Sequence, residues 1–532
     1  PICRCQDLWY GSWLLSELSK TAARHLKDHG ATSVIFPGGL AEASVPDKEA
    51  SVANKILAII EGEAPQVQTL AQGAQAAMSA RLEELAGPVF SRSYGRLAGE
   101  DVKEAATMAW EQVQDLMEFQ WVAVPFQDSG YEGVRQEAER LLAAVKNTKP
   151  WGQPSWARAG WRKSSLDGIR ESVIPERFFE KRQGSESEQA EWLYRQFRVK
   201  PAERLCGIGL LKRWGKDVPA EGEEQEASDR KPRFFHSTSH MAAGPLRARA
   251  AMLAADPEVA AAWKAYESCL RQAPFSGHNR VQGLAHPLFG DYDGSVLYPS
   301  RVRDTFFAGA DARQATGPHA QSCEEAERAL GRLLKALGVL EPNPHYALLL
   351  ADGDHMGRAI DAQTTPEKHQ AISAALDDFA KGVRGIVQAH GGSLIYSGGD
   401  DVLAILPLHT CLDCAEQLAQ DFAGRLESFK PGNESAPTLS VGIAIAHHLE
   451  DFADVRAWAK QAEHLAKRER NSLAVRLEKR GGSPVDACGT WDGRFLARLR
   501  GWIELHRAGE VPNKLPFQWA ELVRLARGGR EM

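Results

Sequence analysis

Residues 390–408, HGGSLIYSGGDDVLAILPL, place two short apolar runs on either side of a Gly-Gly-Asp-Asp tetrapeptide. Apolar runs of this length, bounded by glycine and aspartate, are typical of β-strands joined by a tight turn. The segment therefore predicts a buried hairpin whose tip carries two adjacent carboxylates, Asp400 and Asp401. A surface turn with the same four residues is an alternative, but the flanking runs are too apolar for an exposed hairpin.

The segments around this hairpin follow the order of a ferredoxin-like sheet. The patterns predict a strand at 345–354, a long helix ending near 387–392, a helix at 411–429, a strand at 438–448, a helix at 454–470 and a strand at 471–480. Strand-helix-strand-strand-helix-strand is the order of the split βαβ fold. In that fold the first strand neighbours the hairpin, so Asp352 should lie beside Asp400 and Asp401.

Three converging carboxylates suggest a metal site. Without a cation they would repel one another and raise one another's pKa. Hard oxygen ligands suit Mg²⁺ or Mn²⁺, and a two-ion site can activate a ribose 3′-hydroxyl and stabilise leaving pyrophosphate. Gly398 and Gly399 would allow a tight turn and close approach of a nucleotide. Lys467 and Arg470, near the end of the 454–470 helix, could reach a triphosphate.

Domain boundaries outside this region are marked less clearly in the sequence. A length of 532 residues suggests about three or four domains. Residues 1–130 mix helices at 7–30, 67–86 and 101–118 with strands at 31–39 and 117–126. Residues 131–335 are irregular, contain the charged run 219–233 and the possible loop anchors Trp151, Trp156 and Trp161, and end in a helix at 324–338. Residues 485–532 read as mostly helical.

The composition is that of a globular protein, with 43% hydrophobic and 25% charged residues. We expect no transmembrane helix and no signal peptide. Eight scattered cysteines favour a reducing compartment, with the cytoplasm as the expected location. A formal net charge of −6 provides no overall attraction to nucleic acid, so RNA contact would need a local patch or partner subunits.

Three motifs together resemble the palm of nucleotide cyclases and polymerases: DGD (352–354), GGDD (398–401) and AKRERN (466–471). Four further segments lie outside that region, at 7–20, 33–39, 204–213 and 236–243. With them, the chain resembles the large subunit of type III-B CRISPR effectors, the Cmr family. The resemblance covers most of the chain.

The resemblance implies an α+β fold with two ferredoxin-like palm domains. The first, at 1–130, would be degenerate, and the second, at 336–484, would carry GGDD. A helical and irregular middle domain (131–335) and a helical C-terminal domain (485–532) complete the expected organisation. Target RNA would trigger the second palm to convert ATP into cyclic oligoadenylates. The implied partners are backbone and small subunits, guide crRNA and target RNA, without a membrane.

The resemblance also implies roles for individual residues. Asp352, Asp400 and Asp401 would be catalytic and hold two Mg²⁺ or Mn²⁺ ions, with Asp401 a candidate for helping deprotonate the 3′-hydroxyl. The expected nucleotide-binding residues are Ser397, Gly398, Gly399, Gly353, Lys467 and Arg470. Asp354 would face the same way as Asp352 only if the strand continues to it.

The chain departs from the family pattern at two places. It contains no His-Asp dipeptide, so we expect no HD nuclease domain and no DNase activity. The family's two Cys-x-x-Cys pairs are replaced by KSSLDG (163–168) and LCGIG (205–209), so zinc is not expected.

Two further patterns are weaker metal candidates. Cys411 and Cys414 favour core packing on an amphipathic helix, and His236 and His240 favour a capped helix start, over metal binding.

Two other functions remain open from the sequence. One is a catalytically inactive subunit of the same complex that supports structure and anchors RNA. The other is a free-standing diguanylate-type cyclase, which Val402 after the GGDD motif disfavours.

Overall fold

The computed structural model describes residues 5–38, 52, 54–126, 130–148, 158–180, 186–215, 217–218, 236–273, 279–281, 284–307, 318–432, 435–512 and 514–528. The strands are β1 Ala31–Phe36, β2 Leu57–Ile60, β3 His345–Asp354, β4 Ser393–Gly398, β5 Asp401–Leu406, β6 Thr438–His447, β7 Ser472–Leu477 and β8 Val485–Thr490.

The helices before β3 are α1 Cys5–Asp28, α2 Ala64–Tyr94, α3 Glu100–Gln114, α4 Gly130–Asn147, α5 Glu186–Phe197, α6 Gly207–Trp214, α7 Thr238–Ala242, α8 Gly244–Met252, α9 Pro257–Arg271, α10 Pro299–Phe306 and α11 Pro318–Ala336. Those after β3 are α12 Met356–Asp361, α13 Pro366–Ala389, α14 Cys411–Leu426, α15 Phe452–Glu469, α16 Phe495–Arg507 and α17 Leu515–Gly528.

Six strands form one sheet in the order β4-β5-β3-β6-β7-β8. β3 pairs antiparallel with both β5 and β6, and β7 runs parallel to β6. The first four strands have the ferredoxin-like order that the sequence predicts, so that prediction is confirmed. β8 pairs antiparallel with β7 and extends the sheet, so residues 485–490 are a strand where the sequence pattern indicated helix.

The two faces of this sheet are covered by different layers. Alternate residues of β3, such as Ala347 and Leu349, are buried in a cluster with residues of α13 and α14. Tyr346 and Leu348 point to the other face and join a core shared with α15 and the middle region. Because both faces are covered, β3 is nearly continuously apolar until it reaches Asp352.

The first unit has a smaller sheet. In its described residues, β1 and β2 pair antiparallel as a two-stranded sheet beside α1. The expected strand at 117–126 is wrong, because these residues have no strand pairing in the described part of the chain. The helices predicted at 7–30, 67–86 and 101–118 correspond to α1, α2 and α3.

The two segments that replace the Cys-x-x-Cys pairs lie against each other. The Ser165 amide donates to the Arg204 carbonyl, and the Arg204 amide donates to the Ser165 hydroxyl. The Cys206 thiol lies 3.6 Å from Oδ2 of Asp167. Hydrogen bonds therefore connect the two loops at this place.

The predictions for the cysteines, the tryptophans and the 324–338 helix have different outcomes. Cys411 and Cys414 are buried on α14, as the amphipathic pattern predicts, and the 324–338 prediction corresponds to α11. Trp161 packs against the core, whereas Trp151, Trp156 and the run 219–233 lie outside the described residues. None of the described helices combines the length and apolar composition needed to cross a bilayer.

Candidate active site

The hairpin tip is a two-residue turn between β4 and β5. Gly398 pairs with Asp401, which leaves Gly399 and Asp400 as the central residues. Gly399 has a φ of +69°, a conformation that glycine adopts without steric cost. The turn therefore requires glycine at 399 and presents both aspartates at the end of the sheet.

Strand pairing brings the third carboxylate to the same end. Ala351 of β3 pairs with Val402 of β5, so the next residues, Asp352 and Asp401, are also side by side. Asp352 is therefore close enough to Asp401 to raise the pKa of the Asp401 carboxyl group. Asp400 packs against Gly353, where an added Cβ would lie 2.8 Å from the Asp400 Cβ. Gly353 is therefore needed to let the hairpin tip approach β3.

The closeness of the carboxylates changes their protonation. Burial, followed by repulsion from Asp352, raises the pKa of Asp400 from 3.8 to about 6. Burial and repulsion from Asp400 and Asp352 raise the pKa of Asp401 to about 7. A bound cation would therefore favour full ionisation of both carboxyl groups near neutral pH.

Lys467 of α15 lies at the same end of β3. Its ammonium is 3.0 Å from Oδ2 of Asp352 and 3.2 Å from Oδ1 of Asp354, and it donates to the Gly353 carbonyl at 2.6 Å. Because β3 continues to Asp354, Asp352 and Asp354 share one face and both meet this lysine. Lys467 therefore lies at the acidic end of β3 and contacts the side chains of Asp352 and Asp354.

Asp354 is held much more tightly than its neighbours. It is fully buried, and its carboxylate accepts from the Thr438 and Ser440 hydroxyls and from the Asn471 amide. All of these distances lie between 2.9 and 3.0 Å. The hydrogen bonds of the Asp354 carboxylate therefore link β3 to β6 and to the residues that follow α15.

A cavity of about 510 Å³ opens beside the carboxylates. Its lining includes Asp352, Asp400, Lys467 and Arg470, which the sequence singled out, and also Asp354, Gly353, His355, Met356, Gly357 and Arg358. The segment 355–358 was missed because its residues carry no motif beyond their position after DGD. The positive φ of His355, 60°, turns the chain sharply from β3 into α12.

Arg470 is placed by an unusual backbone. It has a φ of +57° and its guanidinium contacts the His355 ring with a shortest distance of 2.7 Å. Arg470 and Arg358 both line the cavity. The cavity therefore has cationic groups facing the acidic hairpin tip.

The structure separates Ser397 from this group. Its side chain is buried, and the hydroxyl donates to the Ala380 carbonyl of α13 at 3.3 Å. Ser397 pairs with the fully buried Val402, so both side chains lie on the face of the sheet that α13 and α14 cover. Gly398 packs under Tyr396, whose hydroxyl would be 1.9 Å from an added Cβ. These two positions shape the hairpin rather than line the cavity.

The donor set fits a hard divalent cation. Asp352 and Asp400 line the cavity with carboxylate oxygens, and Gly353 adds a carbonyl oxygen now bonded to Lys467. Asp401 is not among the lining residues but lies beside Asp352 at the start of β5. Mg²⁺ and Mn²⁺ prefer oxygen ligands of this kind together with substrate phosphates. Asp354 does not fit as a ligand, since its oxygens are already satisfied by protein donors.

Family models match two parts of the chain. Residues 345–474 match the family described as Cas10/Cmr2, second palm domain. Residues 4–114 match CRISPR-associated protein Cmr2, N-terminal. The first match covers β3–β6, α15 and the start of β7, and therefore contains the whole acidic site.

Known proteins give the same assignment. The CRISPR system Cmr subunit Cmr2 of Pyrococcus furiosus is 32% identical over 205 residues, covering 32% of this chain and 22% of that protein. The CRISPR system CMR subunit Cmr2 of Saccharolobus solfataricus is 40% identical over 60 residues, covering 11% of this chain and 6% of that protein. The matched parts are thus less than a quarter of either relative's length.

Solved structures share the overall fold. A type III-B Cmr-beta structure in the apo state has a TM-score of 0.60 and 13% identity, covering 98% of this chain and 73% of the matched chain. Cmr-beta bound to cognate target RNA gives a TM-score of 0.55 and 14% identity, covering 91% and 68%. These structures show the shared fold, and the two domain matches together with the Cmr2 relatives identify the chain as a member of the Cmr2 family.

Proposed function

We propose that the GGDD palm joins ATP molecules through 3′–5′ linkages into cyclic oligoadenylates. The single observation that supports this most strongly is the convergence of Asp352, Asp400 and Asp401 beside a cavity lined by cations. When bound, two Mg²⁺ or Mn²⁺ ions would activate the 3′-hydroxyl and neutralise the leaving pyrophosphate.

Individual side chains would bind the triphosphate, accept a proton or position Lys467. Lys467, Arg358 and Arg470 line the cavity and would bind the triphosphate through charge-assisted hydrogen bonds. Asp401, beside Asp352 at the start of β5, would help to take the proton of the 3′-hydroxyl, whose pKa the bound cations would lower. Asp354 would keep Lys467 in place beside Asp352.

We further propose that the chain acts within an RNA-guided complex in the cytoplasm. Its partners would be the backbone and small subunits, guide crRNA and target RNA, with target binding switching the palm on. Support comes from the shared fold with Cmr-beta in its apo and target-RNA-bound states. Target specificity would then reside in guide pairing rather than in this chain.

The test is to assemble the chain with its guide complex and incubate it with labelled ATP and Mg²⁺ or Mn²⁺, with and without matched target RNA. Products are resolved by mass. Cyclic oligoadenylates that appear only with target support the proposal. Intact ATP in a complex that still cleaves target RNA would instead favour an inactive structural and RNA-anchoring subunit.

A further inference from the structure

A second cluster of potential metal ligands lies in the middle region, away from the GGDD hairpin. His236, His240 and Asp293 each offer one ligand atom, and these atoms all lie within 4.8 Å of one another. His240 and Asp293 are buried, and His236 is half-buried. In the part of the chain that the structure describes, this is the sole cluster of three such residues found by that criterion.

The backbone forces these residues together. Ser237 caps α7 by accepting from the His240 amide, and Asp293 caps the short turn Gly294–Leu297 by accepting from the Ser295 amide. The turn packs so closely on α7 that an added Cβ on Gly294 would lie 2.8 Å from the His240 Cα. The Ser237 hydroxyl also donates to Asp293, at 2.7 Å.

One ring nitrogen in the cluster has no visible partner. Nδ1 of His236 is buried and makes no hydrogen bond to any described residue. A buried polar atom without a partner costs about 1–3 kcal/mol, and such atoms commonly mark an unseen water or ion. By contrast, Nδ1 of His240 accepts from the Gly294 amide at 3.0 Å and lies 3.3 Å from Oδ2 of Asp293.

The rings also have the required protonation state. Burial lowers the pKa of His236 to about 3, and burial lowers that of His240 as well. Both imidazoles are therefore neutral near pH 7. The Nδ1 lone pair of His236 is unused, whereas His240 would release the Gly294 amide to bind an ion through Nδ1.

Arg247 faces the same cluster and favours neutral rings. Oδ1 of Asp293 accepts from the Ser237 hydroxyl and the Ser295 amide. Apart from His240, Oδ2 has only a 3.4 Å contact with the Ser237 amide and is the oxygen that would bind an ion.

We propose that His236, His240 and Asp293 form a Zn²⁺ site that braces the junction between the middle region and the palm. Two imidazoles and one carboxylate are a donor set typical of Zn²⁺ and poor for Mg²⁺. A water would complete a tetrahedron. The sequence alone favoured a plain helix cap here, because Asp293 lies more than fifty residues from the histidines and only the fold adds it.

Closing the three ligands onto one ion requires movement of His236. Ligand atoms about 2.1 Å from zinc in a tetrahedron lie about 3.4 Å apart. Nδ1 of His240 and Oδ2 of Asp293 are already 3.3 Å apart, whereas the full set of three ligand atoms is held only within 4.8 Å. The His236 and His240 rings are stacked, with centroids 4.0 Å apart and planes 12° apart, so one ring must turn to aim its lone pair at the ion. His236 can turn because its Nδ1 is bonded to no described residue.

The site sits where bracing would matter. The two residues between the histidines bind the palm: the Thr238 hydroxyl donates to the His448 carbonyl at 2.9 Å, and Ser239 contacts Nδ1 of His448 at 2.8 Å. His448 directly follows β6, the strand that neighbours β3 in the sheet. An ion fixing α7 would therefore stabilise the attachment of the palm.

The test is equilibrium dialysis of the full chain against Zn²⁺ in excess Mg²⁺, which occupies the carboxylates of the hairpin. We expect one tightly bound Zn²⁺ per chain and a rise in thermal midpoint on its addition. His236→Ala and Asp293→Asn should each weaken zinc binding at least tenfold. His25→Ala is the matched control, since His25 and His29 also stack, at 4.1 Å, but are not part of a three-ligand cluster.

The outcomes separate cleanly. Zinc binding and thermal stabilisation retained in His25→Ala but lost in His236→Ala support the site. Wild-type protein that binds no more zinc than His236→Ala overturns the proposal. His236→Gln is a second variant that controls for misfolding. Nδ1 of His236 makes no hydrogen bond to a described residue, so circular dichroism of the metal-free variant should match wild type.

Discussion

The two sheets of this chain begin with similar apolar strands but end differently. β3 runs into Asp352 and Asp354 and meets the acidic hairpin, whereas β1 runs into Pro37 and Gly38. The Gly38 amide donates to the Ser373 hydroxyl of α13 at 2.8 Å. One strand end therefore forms a charged cavity, and the other is used for packing against the palm.

This difference shows what turns a strand end into a site. Both strands contribute to the core, with Val34 and Ile35 buried in β1 and most residues buried in β3, so the presence of buried residues alone does not make a site. What distinguishes β3 is that its last residues are carboxylates at the level of a tight hairpin, which places like charges together. The comparison predicts large chemical effects from changes at the hairpin and small, structural effects from changes at β1.

The largest effect is expected from Asp400→Ala combined with Asp401→Ala. Loss of both carboxylates removes the ligands that hold the cations, and product formation should fall at least about a thousandfold. Product is measured by mass in the target-activated complex. Asp378→Ala is the control, because Asp378 is exposed on α13 in the same domain and should leave the rate unchanged. Product at the wild-type rate in the double variant would exclude the site.

Asp354→Asn should act mainly on stability. An amide cannot accept from Thr438, Ser440, Asn471 and Lys467 together and places an NH₂ group among donors. The free energy of unfolding should fall by about 2–4 kcal/mol, measured by chemical denaturation. Asp454→Asn, in the exposed first turn of α15, is the matched control with a change below about 0.5 kcal/mol. Equal stability in the two variants would show that Asp354 is not an anchor.

The raised pKa of Asp400 predicts a pH-dependent stability without metal. The unfolded chain releases this proton near pH 3.8, whereas the folded chain holds it until about pH 6. Asp400 therefore destabilises the fold increasingly between these values and fully above pH 6. In EDTA at pH 8, Asp400→Asn should be about 1–3 kcal/mol more stable than wild type, and at pH 4 the two should nearly coincide.

Thermal scans at both pH values check this prediction. Added Mg²⁺ should stabilise the wild type at pH 8, because the cation offsets the negative charge of the ionised Asp400 carboxylate. It should stabilise Asp400→Asn less, because the asparagine side chain carries no charge. A variant that is equally stabilised at pH 4 and pH 8 would contradict the raised pKa of Asp400 as the cause.

The smallest effect is expected at the contact between the two sheets. The Gln370 side chain of α13 donates to the Ser33 hydroxyl at 2.8 Å and to the Val34 carbonyl at 3.1 Å. Gln370→Ala should cost about 1–2 kcal/mol of stability, with product formation within about twofold of wild type. Gln388→Ala on the exposed face of α13 is the control. A loss of product comparable to that of the aspartate variant would give the first unit a chemical role.

Much of the palm was predictable because its signals are local. The apolar runs at 345–354 and 393–406 are bounded by glycine and aspartate, and helices of regular period lie between them. The order of elements then limits the sheet to few topologies. Asp352, Asp400 and Asp401 were therefore expected at one end of the sheet, and Lys467 was expected to reach a triphosphate. The structure brings all four residues to the same end of β3.

The failures depend on long-range contacts. Residues 117–126 alternate like a strand, but in the described residues no neighbouring strand pairs with them. β2 has four residues, too few for a clear period. Ser397 was expected at the nucleotide, yet pairing with Val402 turns it toward α13. His355 and Arg358 gained their positions from a backbone turn that leaves no composition signal.

The most direct test of the account counts the cations at the hairpin. Mn²⁺ binding is measured by equilibrium dialysis with a non-hydrolysable ATP analogue, for the wild type and for Asp400→Ala with Asp401→Ala. The account predicts that the wild type binds two more Mn²⁺ ions per chain than the variant, and that it binds the analogue more tightly. Equal Mn²⁺ binding by both proteins would contradict the assignment of these carboxylates as the metal ligands.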